Sequence, residues 1–584
     1  MTRTLPNWAC WGRVTCWLLA LPATLAVEPV PAGALVRGLE AAAEGVDPGE
    51  VLLGELNCVA CHPASTMVRS RLASKTAPRL AARHWRPGFA SVYLRDPSGW
   101  KPGTTMPDLL HDRVPAEVAG LVGDLDAYLA SLTTPDPREE TRLNPLFVSQ
   151  GRVLYHQVGC VACHPPLAPA TAIFSQVAAG AATDPQAEAY VLGKLRQASV
   201  PLGRLDVKYS AQGLASFLID PLALRPSGRM PSMNLSEAES LSIASYLLQA
   251  VAVPAAPSVA TAGAGNSPMV GPGRTAKQVR RGRDSFHSLG CSACHEVEGE
   301  KRPTTRGSFG PPLAGLASHG TNGCLAPHPL RGVPRYQLTE AQRATLRLTL
   351  AAVTTWTRPP TTASSQAKRM TQLDCVACHE RNGAGGPTPS RTDYFATKDE
   401  KDLGDEGRLP PHLNGVGRKL RQDWLREVLE NGAKVRPYML TRMPQFGTKN
   451  VARLVEELVA LDDRSKTNAP PAYTAISAEA GRQLVGRGGL ECITCHVFAG
   501  RSVGGLPAMD LTFTSRRLRW NWFEEYLRDP VALRPGTRMP AFWPDGEPAN
   551  RVILGGKMDD QILAIWHYLS EGVGAKAPAG LSAP

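Results

Sequence analysis

Two kinds of amphipathic stretch alternate along the chain. The first kind is a short run that ends in a turn, as in residues 150–159, 279–290 and 478–487. The second kind is longer and occurs at residues 114–129, 235–248, 338–350, 450–461 and 558–569. Apolar residues that recur every three to four positions indicate amphipathic helices. The pattern therefore predicts an all-α protein, in which a leading helix, an irregular Pro/Gly-rich loop and a closing helix occur five times.

The turn after each leading helix is followed by the same phrase, Cys-x-x-Cys-His. The five copies are Cys58, Cys61 and His62; Cys160, Cys163 and His164; Cys291, Cys294 and His295; Cys375, Cys378 and His379; and Cys492, Cys495 and His496. This phrase is the attachment signature of c-type haem, in which both thiols form thioethers with the haem and the histidine ligates the iron. The sequence therefore predicts five covalently bound haem c groups. A zinc site built on the cysteine pairs does not explain why a histidine follows all five.

A second repeat predicts the sixth iron ligand in four of the five repeat units. Each of these units has a methionine directly before a proline, downstream of its haem motif: Met106, Met230, Met443 and Met539. A thioether on the iron stabilises the ferrous state and raises the reduction potential. Met233 and Met439 lie close to two of these positions and are alternative ligands.

In these motifs the chain resembles the class I c-type cytochrome family, as five tandem cytochrome c domains. The resemblance implies that each domain is a small all-α fold that wraps one haem, with His on one side of the iron and Met on the other. It also implies a role in electron transfer.

The repeats and the linker-like stretches divide the chain. Successive motifs are about 100 residues apart, which suits one small domain each. We predict cytochrome c domains at 27–137, 138–252, 274–359, 360–466 and 467–584, called segments 1 to 5 below. Residues 253–273 are rich in Ala, Gly and Pro and predict a flexible linker. The two-haem and three-haem halves on either side of it are expected to move independently.

Segment 3 departs from the pattern. Alignment of 329–341 with 226–238 places Val333 where Met230 stands. The candidates for a sixth ligand of the His295 iron are Cys324, His319 and His328, and an open or water-bound site is the fourth alternative. Cys324 is the one cysteine outside both the motifs and the N-terminal stretch, and a thiolate is a good iron ligand.

The N-terminus predicts export. Arg3 and Arg13 precede or begin a short apolar run that ends in small residues near Ala26, which is typical of a cleaved signal peptide over residues 1–26. The run is shorter than the roughly 20 residues of a membrane-spanning helix, so we expect a periplasmic or otherwise exported protein, soluble or peripheral to the membrane. The formal net charge of +12 is explained by partners for haem propionates, and no nucleic acid partner is expected.

Two functions of different classes follow. The first is an electron carrier between other redox proteins, whose donor and acceptor the sequence does not identify. The second is a haem-dependent oxidoreductase, or its electron-accepting subunit, with haem 3 as the active site for a sulfur anion, peroxide or nitrogen oxide. No arrangement of Asp, Glu or Ser side chains indicates another kind of catalytic site.

Overall fold

The structure is a computed structural model of the whole chain. It describes residues 33–80, 85–132, 143–174, 184–251, 275–297, 310–318, 322–398, 404–463, 469–503 and 508–581. The predicted signal peptide at 1–26 and the predicted linker at 253–273 lie outside these ranges, as does the ligand candidate His319.

The all-α prediction is confirmed, because helices dominate the described residues and the one sheet there is a two-stranded hairpin, Glu380–Arg381 with Ala384–Gly385. The leading helices are Pro48–Glu55, Pro145–Gln157, Ala276–Ser288, Thr362–Gln372 and Ala475–Val485. The closing helices are Pro115–Ser131, Glu237–Val251, Glu340–Ala352, Thr448–Asp462 and Met558–Ser570. No helix within the described ranges has both the length and the apolar character that a membrane crossing requires.

Shorter helices fill the loops between each motif and its closing helix. They are Thr66–Leu72, Phe89–Tyr93, Pro97–Trp100, Pro185–Gln197, Leu205–Lys208, Ala211–Ile219, Pro221–Leu224, Gly404–Arg408, Val416–Lys419, Gln422–Asn431, Thr514–Arg517, Trp520–Arg528 and Pro530–Leu533.

Each leading helix begins at a capping side chain. Asp47, Asn144, Thr275, Thr361 and Thr474 each accept a hydrogen bond from a backbone N–H of the first turn. Such caps satisfy donors that have no partner within the helix. These residues explain why helices begin a few positions before the apolar pattern becomes visible in the sequence.

Leading and closing helices cross at a glycine in four of the five pairs, the exception being Thr362–Gln372, which contains none. In segment 2, a Cβ on Gly151 would lie 1.9 Å from the carbonyl oxygen of Ser242, and in segment 5 a Cβ on Gly481 would lie 2.0 Å from that of Ala564. Any side chain at these positions would collide with the backbone of the closing helix. The absence of a Cβ therefore allows the two helices of a segment to approach closely.

Segments 1 and 3 differ from the predicted division, because they exchange halves. The leading helix Ala276–Ser288 packs on the closing helix Pro115–Ser131. The two helices cross at Gly282, where a Cβ would lie 1.9 Å from the carbonyl oxygen of Asp124. In the same way Pro48–Glu55 packs on Glu340–Ala352, with Gly49 against Thr349.

The exchange produces two bodies, each assembled from distant parts of the sequence. Body A comprises the described residues of 33–76 and 310–356, and body B those of 77–132 and 275–297. The core of body A joins Leu53 and Leu72 with Leu346, and the core of body B joins Leu125 with Phe286. Since both bodies contain chain from either side of the linker, the expectation that the two halves move independently is not met.

Candidate functional site

All five motifs have the same backbone geometry. The residue before the first cysteine is left-handed in every copy: Asn57, Gly159, Gly290, Asp374 and Glu491. The motif histidine N–H then donates to the carbonyl of the first cysteine, at 2.9 to 3.0 Å. A single tight turn thus presents two cysteines and a histidine together, and no cysteine within the described ranges is in a disulfide.

A backbone carbonyl orients each motif histidine. In all five copies the histidine Nδ1 lies within hydrogen-bond distance of a backbone carbonyl oxygen. The pairs are His62 with Pro311 (2.8 Å), His164 with Val200 (3.0 Å), His295 with Pro78 (2.8 Å), His379 with Pro411 (2.6 Å) and His496 with Met509 (2.9 Å). This hydrogen bond fixes the ring and leaves Nε2 as the nitrogen for a metal. Burial lowers the pKa of His164 to about 4 and also lowers the pKa of His295, His379 and His496, so these rings are neutral, as iron ligation requires.

The carbonyl that holds the histidine belongs to a short pattern that sequence reasoning missed. Two residues after that carbonyl stands a leucine in every copy, namely Leu80, Leu202, Leu313, Leu413 and Leu511. Four of these leucines donate their N–H to the carbonyl of the residue after the motif histidine. In the sequence this pattern reads Pro-x-Leu in three of the five copies, which end in Leu80, Leu313 and Leu413.

Segments 2, 4 and 5 each place the first cysteine of the motif and the predicted methionine against the same core. Both are partly buried there: Cys160 with Met230, Cys375 with Met443, and Cys492 with Met539. Of the two alternatives, Met233 is buried in the core of segment 2, and Met439 forms a backbone bridge with Thr397.

Segments 1 and 3 do not bring together the predicted sets. His62 is held by Pro311 of segment 3, and His295 is held by Pro78 of segment 1. Cys324 lies in body A with the first motif: Leu325 packs against the body A core, and burial, followed by the neighbouring thiols of Cys324 and Cys61, raises the pKa of Cys58. The ligation of the His295 iron by Cys324 stays a prediction, although the structure places Cys324 beside the first motif. His328 is exposed on the surface of body A.

Two groups of buried or half-buried basic side chains lie between bodies. The first cationic cluster is Lys75, Lys101, Lys208 and Arg225, and the second cationic cluster is Lys419, Arg436, Arg517 and Arg534. The pKa of Lys101 lies well below its usual value, because of Arg225 first and then burial. Burial, followed by Arg534, Arg517 and Arg436, likewise lowers the pKa of Lys419.

These clusters fit a bound haem. Cations crowded together are costly unless anions join them. Glu55 lies 3.5 Å from Lys75 and Glu406 lies 3.6 Å from Arg534, and the two propionates of a haem would supply further negative charge. Lys101, Arg225 and Arg534 each stand five residues before a predicted methionine ligand and directly before a proline. His328 has the equivalent position, five residues before Val333.

The cysteine pairs, oriented histidines, methionines and cationic clusters together match the donors that haem c needs. The described residues hold no group of three or more His, Cys, Asp or Glu side chains that could bind a metal ion. A scan against models of known protein families, a search of curated proteins and a search of solved structures each found no match to this chain.

Proposed function

We propose that this chain is an exported pentahaem c-type cytochrome that carries electrons between other redox proteins. The observation that carries the proposal is the fivefold repetition of one geometry: a left-handed residue, a Cys-x-x-Cys-His turn and a carbonyl on Nδ1 of the histidine. When bound, haem c supplies an iron that changes between the ferric and ferrous states by one electron.

The protein's own residues set the properties of each site. The cysteines hold the group covalently, and the carbonyl partner of each histidine fixes the orientation of its ring. In three bodies the methionine of the same core is the soft sixth donor, which favours the ferrous state. The cationic clusters bind propionates and further favour the added electron.

The first test is the haem content. The protein produced with an intact haem-attachment system is expected to gain the mass of five haems and to titrate through reversible one-electron steps. C492A/C495A is expected to lose one haem, because each cysteine pair holds one group. Cys324→Ala is the matched control and keeps all five, since Cys324 lies outside the motifs. A chain without covalent haem contradicts the proposal.

The second test addresses the cationic clusters. Arg225→Gln is expected to lower the reduction potential of at least one haem, because a nearby positive charge stabilises the reduced state. A unit charge at about 12 Å and an effective dielectric constant near 20 contributes roughly 1.4 kcal/mol, which is about 60 mV for a one-electron couple. Potentiometric titration measures the shift.

The control for that substitution is an exposed arginine outside both cationic clusters. Arg551 is exposed and paired with Glu547 on the surface of segment 5, so Arg551→Gln should leave all potentials within a few millivolts of the wild type, as expected for a screened surface charge. Equal effects of the two substitutions would contradict a propionate role for Arg225.

The alternative function is a haem-dependent oxidoreductase with one site for a sulfur anion, peroxide or nitrogen oxide. The observation that favours it is body A, where no methionine stands at the Met-Pro position and Cys324 lies beside Cys58. Turnover of thiosulfate, peroxide or nitrite by the wild type, and its change in Cys324→Ala, would support this second function.

A further inference from the structure

We infer that the five attachment sites follow one another in space in the order first, third, second, fourth, fifth, and that Met106 serves the third site, so that the site without methionine is the first, at His62. The inference rests on the proposed function for the presence of haem. The arrangement itself rests on contacts within the protein.

Body B assembles the third motif with the chain that surrounds Met106. His295 Nδ1 lies 2.8 Å from Pro78 O, and Leu80 N donates to Glu296 O at 3.0 Å. Pro411 and Leu413 make the same two contacts with the fourth motif inside one contiguous segment. The residues after Pro78 therefore take the place that a segment's own loop takes elsewhere.

The methionine loop of body B has the same local structure as that of segment 5. The hydroxyls of Tyr93 and Thr104 lie 3.3 Å apart, and Met106 N donates to Thr104 Oγ1 at 3.2 Å. In segment 5 the corresponding contacts are Tyr526 with Thr537 at 3.3 Å and Met539 N with Thr537 at 3.3 Å.

The position of this loop in body B follows from the helices. Tyr93 ends the helix Phe89–Tyr93, which packs on Pro115–Ser131. That closing helix crosses Ala276–Ser288, which leads to Cys291 and His295. Met106 is thus built into the same body as His295, as Met539 is built into the same body as His496.

Body A surrounds the first motif with residues of segment 3. Gly310 N and Leu313 N donate to Cys61 O and Pro63 O, and Tyr336 donates its hydroxyl to Leu56 O at 3.3 Å. The loop that takes the place of a methionine loop here is the one with Val333. A valine side chain has no donor for iron, so the first site is the one whose Met-Pro position carries no thioether.

Pairs of bodies contact each other through equivalent residues, two positions after the methionine. Asp108 and Arg335 exchange backbone hydrogen bonds of 2.8 and 3.0 Å between bodies B and A. Ser232 and Gln445 exchange bonds of 2.9 and 2.8 Å between segments 2 and 4. The equivalence supports the alignment of Val333 with the methionines.

In the same two pairs, one motif lies against the other. Asn57 Nδ2, directly before the first motif, lies 3.8 Å from Cys294 Sγ. Asp374 Oδ2, directly before the fourth motif, lies 3.3 Å from Cys163 Sγ. The first site is therefore adjacent to the third, and the second to the fourth.

A different kind of contact joins body B to segment 2, and segment 4 to segment 5. Arg86 N donates to Lys208 O between body B and segment 2, at 2.8 Å, and the first cationic cluster spans the same interface. Between segments 4 and 5, Arg519 N donates to Lys419 O at 3.0 Å, and the second cationic cluster spans that interface.

The two kinds of contact alternate and give a single order, body A, body B, segment 2, segment 4, segment 5. Body A also contacts segments 2 and 4: Lys368 pairs with Glu50, Arg229 with Glu55, and Arg37 with Asp374, which directly precedes the fourth motif. On the body A side these ion pairs use residues 37, 50 and 55, none of which belongs to the first motif, so the contacts between motifs still give the order above. At the other end Cys495 is an exposed motif cysteine, whereas the second cysteines of the other four motifs are partly covered.

The test uses the holoprotein with single sites removed. In the wild type, electron paramagnetic resonance of the oxidised protein should show one haem unlike the other four. C58A/C61A should lose that one signal, and C291A/C294A should keep it and lose one His/Met signal. The opposite result, loss of the unlike signal in C291A/C294A, would overturn the exchange.

A milder substitution answers the same question if a haem-deletion variant fails to fold. Met106→Ala should convert one His/Met signal into a second unlike signal. Combined with C291A/C294A, Met106→Ala should add nothing further, because its haem is already absent. The inference fails if Met106→Ala still adds the second unlike signal when combined with C291A/C294A, but adds none when combined with C58A/C61A. Met106 would then serve the first site.

The spatial order of the five sites is tested by the reduction potential of the unlike haem. This potential should shift in C291A/C294A, which removes the neighbouring haem, and should stay unchanged in C160A/C163A. A shift in C160A/C163A alone would indicate that the sites follow the sequence order. A wild-type protein with no covalent haem would contradict the proposed function instead, which the mass of the chain reveals before any of these comparisons.

Discussion

Gly282→Leu is expected to destabilise body B more than any other single substitution of an apolar or small residue in it. A Cβ at this position lies 1.9 Å from the carbonyl oxygen of Asp124 and 2.8 Å from Cβ of Tyr128. Overpacking of a core costs about 1–3 kcal/mol when side chains can shift. Here a backbone carbonyl must move, so we expect a loss of at least about 3 kcal/mol, measured as a lower denaturant midpoint in circular dichroism.

The matched control lies on the other helix of the same crossing. Gly120 is exposed on the closing helix Pro115–Ser131, and a Cβ there meets nothing within 4 Å. Gly120→Leu should leave the midpoint unchanged or raise it slightly, because leucine favours a helix over glycine by roughly 0.8 kcal/mol. If Gly282→Leu unfolds at the wild-type midpoint, the two helices do not cross at this residue.

The local structure of the chain was predictable from the sequence. The apolar pattern at 450–461 and 558–569 predicted closing helices, and the structure has them at Thr448–Asp462 and Met558–Ser570. Helical periodicity depends on neighbouring residues alone, so tertiary contacts are not needed to see it. The five motifs are equally local, since five consecutive residues define each of them.

The pairing of the halves was not predictable in the same way. Gly49 and Gly282 both stand nine residues before the first cysteine of a motif, and each suits a close crossing with any closing helix. Nothing in the apolar pattern says which closing helix a leading helix will meet. The prediction paired each leading helix with the next closing helix along the sequence, and for segments 1 and 3 this pairing does not occur.

Part of the site was visible only once the chain was folded. The first cationic cluster joins Lys101 of segment 1 with Lys208 and Arg225 of segment 2. Its members are far apart in the sequence, and basic residues are common on protein surfaces, so composition alone assigned them no place. Burial beside one another distinguishes them from solvated charges.

Cleavage of the linker should leave the two halves of the protein associated. With a specific protease site inserted in 253–273, the two-motif and three-motif fragments are expected to co-elute in gel filtration and to separate only in denaturant. The reason is that bodies A and B each contain chain from both fragments, so separation would expose the buried faces of Leu53, Leu346, Leu125 and Phe286.

A cut between segments 4 and 5, within 464–468, is the control for that result. Segment 5 is built from contiguous chain and contacts segment 4 through Leu420 and through ion pairs such as those of Arg418 with Glu525 and of Arg519 with Asp463. Ion pairs that stay partly exposed contribute about 0–1 kcal/mol each, and no described helix of the segment 5 core comes from segment 4, so the fifth segment should dissociate at a lower denaturant concentration than the linker-cleaved halves. Separation of those halves in plain buffer would mean that each folds alone, which the exchanged helices do not allow.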